Sequence, residues 1–536
     1  MKKILFLLLV ATSFSFTAKA QTTYNDVATI FYNRCTSCHH GSGAGFSLLT
    51  FLDASAYTSA IQTDLTTNHM PAWPPDTAYT ASGHPAQRFL HEHIITSVEN
   101  AAILQWINDG ALEGNPALVP APPSYDDTKY KLNGTPSLTL KTPKFASNYS
   151  VSNTDPHNCF AVPTGLTTNT WLRAFEIVPG NLDAVVHVIV TIDTTGTFQT
   201  DTSGHCNNHP GEIYLGSWAL GQAPTVYPNQ MVLKAGLRIP ANSKFIFQID
   251  YGPGTAGMVD SSKIRLFFYP SGETGIRPIH SDYFLQYWGN LGIGGPDIKA
   301  DSIKMFSATP AIQSHPHPQP PAGNISLLSI NPYSHALCKE VHEYALNGTD
   351  TIPLLHIEDW TYHHYLGAYY FPKPVKIPTG YTLKTDRLFD NTTGNDNQTH
   401  QPPIDINFGA NFNDEMIYDS FQWLDYQAGD ELLDMNALVA NDPLLQVGIN
   451  EFVETSGMIS SVYPNPTTGS VSIWLSKKSE YIAHLFTISG QNILQTGLFN
   501  ETVSMDMKTI PAGIYIIEIT DIKSNDKITK KIVVME

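Results

Sequence analysis

The stretch Val185-Val186-His187-Val188-Ile189-Val190 is an almost continuous apolar run, which is typical of a buried β-strand. Similar alternating or continuous runs recur at 245–249, 264–268 and 325–330. Turn signals separate them, namely Pro253-Gly254, Pro378-Thr379-Gly380 and Asn391-Thr392-Thr393-Gly394. The region 125–450 is therefore predicted to consist of strands and turns, folded as sandwiches or jelly rolls. It is too long for one simple sandwich, so we expect two, at 125–300 and 301–450.

Composition supports a mainly β chain with several domains. At 536 residues we expect three or four domains, and a hydrophobic content of 42% excludes wholesale disorder. Charged residues are only 15% while aromatics reach 11%, which favours short strands and many loops over long solvated helices. The formal charge of −18 argues against nucleic-acid binding, which requires a basic surface.

The first twenty residues have the pattern of a secretory signal. Lys2 and Lys3 precede the apolar run 4–10, and Ala18-Lys19-Ala20 resembles a cleavage site. The apolar run is too short to span a bilayer, and no later segment approaches about 18 uninterrupted apolar residues. We therefore expect an exported chain without stable membrane insertion once residues 1–20 are removed.

The last part of the chain, 459–536, reads as a separate small β-sandwich. Its strands are predicted at 471–475, 484–488 and 513–519. The opening Val462-Tyr463-Pro464-Asn465-Pro466-Thr467-Thr468-Gly469, the turn 488–491 and the closing 530–534 resemble a type IX secretion type A sorting domain. This resemblance implies handling by the type IX secretion machinery, passage across the outer membrane, and release or surface attachment.

The strongest chemical signal is Cys35-x-x-Cys38-His39, the attachment pattern of haem c. In this pattern the two thiols form thioether links and His39 ligates the iron. The alternatives are a redox dithiol or half of a zinc site, although zinc requires further ligands and the sequence has no second cysteine pair.

Downstream residues favour the haem. Met70 lies in the Pro-rich stretch Met70-Pro71-Ala72-Trp73 and offers a thioether as sixth ligand, with His69 as the rival. Near-helical apolar spacing predicts a helix over 98–111, with Gly110 as its stop. Together these stretches resemble the small c-type cytochrome modules fused to exported enzymes. The resemblance implies a small α-helical module, placed at 21–118 and followed by a Pro-rich linker at 119–124.

The middle region resembles the copper type II, ascorbate-dependent monooxygenases, the family of the peptidylglycine and dopamine β-hydroxylases. The stretches that carry this resemblance follow the family's order: 157–160, 218–221, 247–252, 331–335, 374–380 and 413–416. It implies two jelly-roll domains, each with one copper, and a disulfide between Cys159 and Cys206. Cys338 is then left without a role.

Three of the six copper ligands that the resemblance implies are replaced. At the electron-transfer copper, His187 matches, Val188 replaces a histidine, and Asp250 stands in the third position. At the oxygen-binding copper, His335 and Met416 match, whereas Tyr333 replaces a histidine. Valine has no lone pair, while Asp250 and Tyr333 offer oxygen donors and Met416 a soft thioether. His187 could equally be a satisfied core histidine.

Two functions follow from these patterns. In the first, the haem delivers electrons from an external donor to one copper, where Tyr333, His335 and Met416 support O₂-dependent hydroxylation of a small molecule or peptide. In the second, the copper sites are degenerate and the chain is a non-catalytic surface or secreted protein, acting as an electron carrier or binding module.

Overall fold

The structure is a computed structural model that divides the chain into two compact units, Met1–Leu445 and Gln446–Glu536. The predicted signal at 1–20, the stretch 72–74 after Met70, and parts of the predicted sorting motifs (464–466 and 488–490) lie outside the described residues. The described residues are 21–40, 46–71, 75–92, 94–123, 125, 130–150, 157–204, 206, 212–219, 222–287, 297–309, 323–360, 367–409, 414–445, 460–463, 467–475, 478–487, 491–523 and 527–535.

The N-terminal part of the first unit is helical. Its described helices are α1 (Tyr24–Arg34), α2 (Phe51–Ala56), α3 (Thr58–Thr66) and α4 (Ser97–Asn108). Buried Trp106 of α4 packs against Tyr24 and Phe31 of α1, with ring centroids 5.9 and 5.8 Å away. Thr96 and Glu99 form a capping box at the start of α4, and the chain leaves the helix through Gly110 at a φ of 96°, which glycine adopts without strain. The helix predicted over 98–111 is thus confirmed.

Strands dominate the rest of the first unit. The first thirteen are β1 (Leu138–Lys141), β2 (Phe145–Ala146), β3 (His157–Pro163), β4 (Thr170–Val178), β5 (Val185–Asp193), β6 (Asp201–Gly204), β7 (Glu212–Ala219), β8 (Thr225–Val226), β9 (Ala235–Ile239), β10 (Lys244–Tyr251), β11 (Val259–Asp260), β12 (Lys263–Phe268) and β13 (Arg277–Tyr287). They are followed by β14 (Ser302–Ala308), β15 (Ile325–Asn331), β16 (Cys338–Asn347), β17 (Asp350–Ile357), β18 (Tyr369–Ile377), β19 (Thr382–Asn391), β20 (Ile417–Asp425) and the short helix α5 (Met435–Val439). The prediction of a mainly β chain is confirmed.

One sheet runs through both halves of the strand region. Among the described residues it has nine strands in the order β1-β12-β4-β9-β13-β20-β15-β18, with β8 paired to β4. β13 connects the two halves of this sheet, because it pairs in parallel with β9 of the first half and antiparallel with β20 of the second. Three smaller sheets of the described residues lie apart from it, β6-β3-β10-β5-β7 and the two-stranded β11-β2 in the first half and β14-β19-β16-β17 in the second.

Side-chain alternation gives the sheet β6-β3-β10-β5-β7 two different faces. Phe247 and Ile249 of β10 and Val188 and Val190 of β5 belong to the core of the first half. Ile189 of β5 instead belongs to the core of the second half. Alternate positions at the end of this sheet where Ile189 lies therefore face the second half, whereas Cys159 of β3 and Ile246 of β10 pack in a small cluster with Phe198 and Cys206.

Part of the N-terminal region packs on the second half. Phe89 lies in the second core, where its ring is 5.4 Å from the rings of Tyr369 and Phe371. The Leu90 amide donates to the Tyr370 carbonyl at 2.7 Å. The segment 75–92, which follows Met70, is thus anchored to the sandwich.

The second unit has a core of its own, formed by residues such as Ile473, Tyr481, Leu485 and Ile517. The strands predicted at 471–475, 484–488 and 513–519 correspond to strands of this unit. The strands form the sheets β21-β22-β25 and β24-β23-β26-β27, with the bounds β21 (Ser460–Tyr463), β22 (Ser470–Leu475), β23 (Tyr481–Thr487), β24 (Asn492–Gln495), β25 (Thr502–Asp506), β26 (Gly513–Asp521) and β27 (Lys527–Val534).

Within the part of the chain that the structure describes, none of the helices combines the length and apolar character that a bilayer span requires.

Candidate functional site

The cysteines of the haem-type motif lie directly after α1. Cys35 caps the helix, and the amides of Cys38 and His39 both donate to the Cys35 carbonyl, at 3.1 and 2.9 Å. The two thiols do not form a disulfide with each other, and both are partly exposed. This turn presents both sulfur atoms and the imidazole within five residues, as covalent attachment of haem requires.

The His39 ring is held by its Nδ1. That nitrogen lies 3.1 Å from the Phe46 carbonyl, which requires Nδ1 to carry the proton if a hydrogen bond forms. Nε2 then keeps its lone pair for a metal, and burial lowers the pKa of His39, which favours the neutral ring. An axial histidine fixed through its other ring nitrogen is the usual arrangement at metal centres, so these residues fit a haem.

Met70, the predicted sixth ligand, lies shortly after α3. Its amide donates to the Asp64 carbonyl at 3.4 Å, and the Asp64 carboxylate is near enough to His39 to act on its pKa. The Met70 side chain is half-buried, whereas the rival His69 is exposed. The role of Met70 as sixth iron ligand stays a prediction.

The second group of predicted residues converges in the strand region. Asp250, His157 and His187 are in register on the neighbouring strands β10, β3 and β5. Asp250 Oδ2 lies 3.5 Å from His187 Nδ1, and Asp250 Oδ1 lies 3.9 Å from His157 Nε2. All three are buried on the face that points to the second half of the strand region.

Tyr333 and His335 meet this row from the other half. The Tyr333 ring is nearly parallel to that of His187, with centroids 6.3 Å apart, and the His335 ring lies 6.1 Å from that of His157. Both residues are in the connection after β15 and are buried. Residues expected at two separate copper sites, Asp250 and His187 on one side and Tyr333 and His335 on the other, therefore form a single group, which we call the histidine cluster together with His157.

Residues 414–416 position His335. Its Nδ1 lies 2.8 Å from the Asp414 carbonyl, and its amide donates to Glu415 Oε2 at 3.1 Å. Glu415 also accepts from the Leu337 amide at 2.6 Å, and burial raises the pKa of its carboxyl to about 8. Met416, the predicted thioether ligand, follows directly and is buried in the second core.

A buried network of charged side chains binds the backbone amide of Tyr333. The Tyr333 amide donates to Asp419 Oδ1 at 3.1 Å. Arg387 donates to the same oxygen at 2.6 Å and to Glu343 at 3.1 Å, and all three charged side chains are inaccessible to solvent. Burial raises the pKa of Asp419 to about 6 and that of Glu343 well above its usual value.

Val188 lies outside the cluster, because its side chain points into the core of the first half. His157 is a cluster member that the ligand positions implied by the sequence do not include. It stands in the stretch 157–160 that carries the family resemblance, but its pairing with Asp250 depends on strand register. The Cys159–Cys206 disulfide that the resemblance implies is present, and Cys338 is a buried free thiol.

Comparison with known proteins identifies the C-terminal part of the chain. Residues 461–535 match the family described as the secretion system C-terminal sorting domain. The tail therefore marks the protein for the type IX secretion machinery, and the protein is exported to the outer membrane, the cell surface or beyond. No curated protein matches the chain.

Likenesses to solved structures are weak. A β-glucuronidase from Ruminococcus gnavus is 9% identical with a TM-score of 0.13 over 50% of this chain, and the chain spans only 46% of that protein's length. The BSP domain of a biofilm associated protein is 9% identical with a TM-score of 0.14, covering 78% of this chain and 84% of that one. Scores this low carry no argument about fold or function.

Proposed function

We propose that the protein is an exported haem-containing oxidoreductase in which haem c supplies electrons to one copper centre for O₂-dependent hydroxylation. The observation that carries the proposal is the histidine cluster, in which His157 and His187 lie on either side of Asp250, and His335 from the other half has its ring 6.1 Å from that of His157. Imidazole nitrogens and carboxylate oxygens are donors that copper accepts in proteins.

The N-terminal region supports the haem part of the proposal. Helices α1 and α4 cross at Phe31 and Trp106, and the cysteine pair with His39 follows α1 directly. This is the arrangement we expect of a c-type cytochrome module over 21–118. The Phe46 carbonyl orients His39, and Met70 offers the second axial ligand.

The strand region supports the copper part. Two sandwich-like halves with separate cores, joined through β13, suit the double jelly roll of the copper monooxygenase family. A single copper suits the cluster better than two, since Val188 is turned away and His187 lies beside Tyr333. One bound copper supplies one-electron redox chemistry and a site where O₂ is activated.

The chain's own residues then have distinct roles. His335 presents Nε2 to the cluster because the Asp414 carbonyl lies against Nδ1. Asp250 lies between His187 and His157, so its charge balances a cation held by the imidazoles. Met416 offers a soft donor that favours Cu(I), and Tyr333 offers a phenol at the vacated histidine position.

The proposed role of the haem is to supply the electrons that hydroxylation consumes. Hydroxylation of a C–H bond by O₂ takes up two electrons and two protons and releases one water, whereas haem iron delivers one electron at a time. A haem held by Cys35, Cys38 and His39 would therefore have to receive two electrons per turnover from an external donor, one at a time. The segment 75–92 follows Met70 and is anchored on the second core through Phe89, which fixes the haem-binding region near the strand region.

Copper loading followed by electron transfer tests the proposal. We expect one copper and one haem per chain by elemental analysis and absorption spectroscopy, and a His335→Ala variant that keeps haem but loses copper. His280→Ala, which alters a histidine paired with exposed Asp425, is the control and should keep both. Pre-reduced haem should reduce bound Cu(II) within seconds in wild type and not in His335→Ala.

A non-catalytic electron carrier or binding module is the second candidate. The burial of Val188 in the first core favours it, because one expected ligand position is lost to packing. One haem and no copper in the loaded wild-type protein would leave only this function. Copper that binds but does not react with reduced haem over minutes would remove the electron-transfer step.

A further inference from the structure

A second group of metal-ligand side chains lies where the segment 75–92 meets the sheet β14-β19-β16-β17. Asp76, His356 and Glu358 each offer one donor atom, and these atoms all lie within 4.8 Å of one another. None of these residues belongs to the histidine cluster or to the haem motif. Asp76 and His356 are partly buried, and Glu358 is exposed.

Backbone pairing brings the three residues together. His356 lies near the end of β17 and Glu358 two positions further on, so they share one face, while Ile357 between them is buried in the second core. Pro75 forms a β-bridge with Ile357, and the Asp76 amide donates to the His356 carbonyl at 2.7 Å. The segment thus lies along the edge of β17 and brings the Asp76 carboxylate beside the imidazole.

The carboxylates of Asp76 and Glu340 each lie beside one ring nitrogen of His356. Asp76 Oδ1 accepts from the Ala78 amide at 2.7 Å, and Oδ2 lies 3.4 Å from His356 Nδ1. On the other side of the ring, Glu340 Oε1 lies 3.0 Å from Nε2. The rings of Tyr79 and His342, at 5.0 and 5.3 Å, pack against the imidazole and restrict its rotation.

This geometry matches a carboxylate–histidine–metal arrangement, in which one ring nitrogen is held by a carboxylate and the other binds the ion. Glu340 accepts the Nε2 proton, which leaves the Nδ1 lone pair directed toward Asp76. Two ligands of a tetrahedral zinc ion with bonds of 2.0–2.1 Å are about 3.3 Å apart. The distance of 3.4 Å between His356 Nδ1 and Asp76 Oδ2 is close to this ligand–ligand separation.

We propose that Asp76, His356 and Glu358 bind one divalent transition-metal ion of the zinc type, with Glu340 positioning His356. A nitrogen donor beside two carboxylates favours such ions over Ca²⁺ and Mg²⁺, which prefer oxygen ligands. Three protein ligands leave the fourth position to water. The bound ion ties the segment that follows Met70 to the edge of β17 and so stabilises the attachment of the haem-binding region.

Zinc binding by the full-length, chelator-treated protein tests the proposal. We expect saturable zinc binding that is at least tenfold weaker in both His356→Gln and Asp76→Asn, and a wild-type melting temperature that rises with zinc. Excess Ca²⁺ should not displace the zinc. His84→Gln is the matched control, because His84 lies on the same segment and pairs with Asp350 outside the group.

His335→Ala separates this site from the histidine cluster, since it should keep the zinc that His356→Gln loses. Glu358→Gln changes an exposed side chain, so it replaces His356→Gln as the test of zinc binding if His356→Gln fails to fold. Wild type without saturable zinc binding would overturn the proposal and leave His356 as a hydrogen-bonding partner of Asp76 and Glu340 alone. Equal zinc affinity in wild type, Asp76→Asn and Glu358→Gln would overturn it as well, as would loss of zinc only in His335→Ala.

Discussion

The ring of His187 lies nearly parallel to the ring of Tyr333, with an interplanar angle of 12° and centroids 6.3 Å apart. His187 belongs to β5 in the first half of the strand region, and Tyr333 follows β15 in the second. This relationship brings residues that were expected at two separate metal sites into one group, because Asp250 contacts His187 and His335 lies next to Tyr333.

Asp250→Asn should weaken copper binding at the histidine cluster by at least tenfold. The substitution keeps the shape of the side chain but removes the negative charge that lies between His157 and His187. Affinity is measured by competition with a chromophoric chelator. Asp425→Asn, which alters another histidine-paired but exposed carboxylate, is the control. Equal affinity in all three proteins would place copper outside the cluster.

His39→Ala should disturb the haem iron without preventing attachment through Cys35 and Cys38. The imidazole that the Phe46 carbonyl orients is then missing, so the Soret band should shift and the reduction potential should change. Cys35→Ser with Cys38→Ser should abolish covalent haem, seen by haem staining after denaturing electrophoresis. Cys338→Ser, at the buried thiol, should retain haem. Haem staining that survives the double serine variant would contradict the attachment site.

Loss of the Cys159–Cys206 disulfide should lower the free energy of unfolding. The bridge spans 47 positions in sequence, and closing a loop of that size is worth about 3–4 kcal/mol in the chain-entropy account. A Cys159→Ala, Cys206→Ala double variant is compared with wild type by urea unfolding followed by tryptophan fluorescence. Reduced and oxidised wild type with equal unfolding midpoints would argue that the bridge does not contribute.

Glu343→Gln should change how stability depends on pH. Burial raises the pKa of both Glu343 and Asp419, and one guanidinium, that of Arg387, faces both carboxyls. The folded protein therefore keeps a proton that the unfolded chain releases. Such a group contributes stability below about pH 4, and this contribution is lost as the pH rises through the folded-state pKa, about 6 for Asp419.

We therefore expect the free energy of unfolding of wild type to fall between pH 5 and pH 8 relative to that of Glu343→Gln. The difference should be on the order of 1–2 kcal/mol, since one pKa unit corresponds to about 1.4 kcal/mol. Urea unfolding at both pH values measures it. If the free energies of unfolding of wild type and Glu343→Gln change equally between pH 5 and pH 8, the carboxyls of Glu343 and Asp419 hold no extra proton in the folded protein.

A chain that ends at Leu445 should fold but remain in the periplasm. The second unit has its own core and contains the sorting domain at 461–535, so its removal deletes the export signal without opening the first unit. Cell fractionation with a periplasmic marker protein locates the truncated chain beside full-length protein. Surface exposure of the truncated form would show that export does not depend on the tail.

Several elements of the fold could be read from local patterns. The apolar run at 185–190 lies within β5, and the spacing at 98–111 corresponds to α4, because period and turn residues are properties of short stretches. The C-terminal strands and sorting domain were likewise recognisable from motifs. In contrast, the packing of Phe89 against Tyr369 joins distant stretches, and no short pattern signals it.

The strand-rich character, the haem-type motif Cys35-x-x-Cys38-His39 and the export tail could all be recognised in the amino-acid sequence, since each depends on residue types at fixed spacing. The alignment of His157, Asp250 and His187 in one row, and the approach of Tyr333 and His335 to that row, became visible in the folded chain alone. The same holds for Asp76 beside His356. These contacts depend on strand register and on the packing of one half of the strand region against the other. Both are determined by the burial of apolar surface from distant parts of the chain, so no short stretch of sequence reveals them.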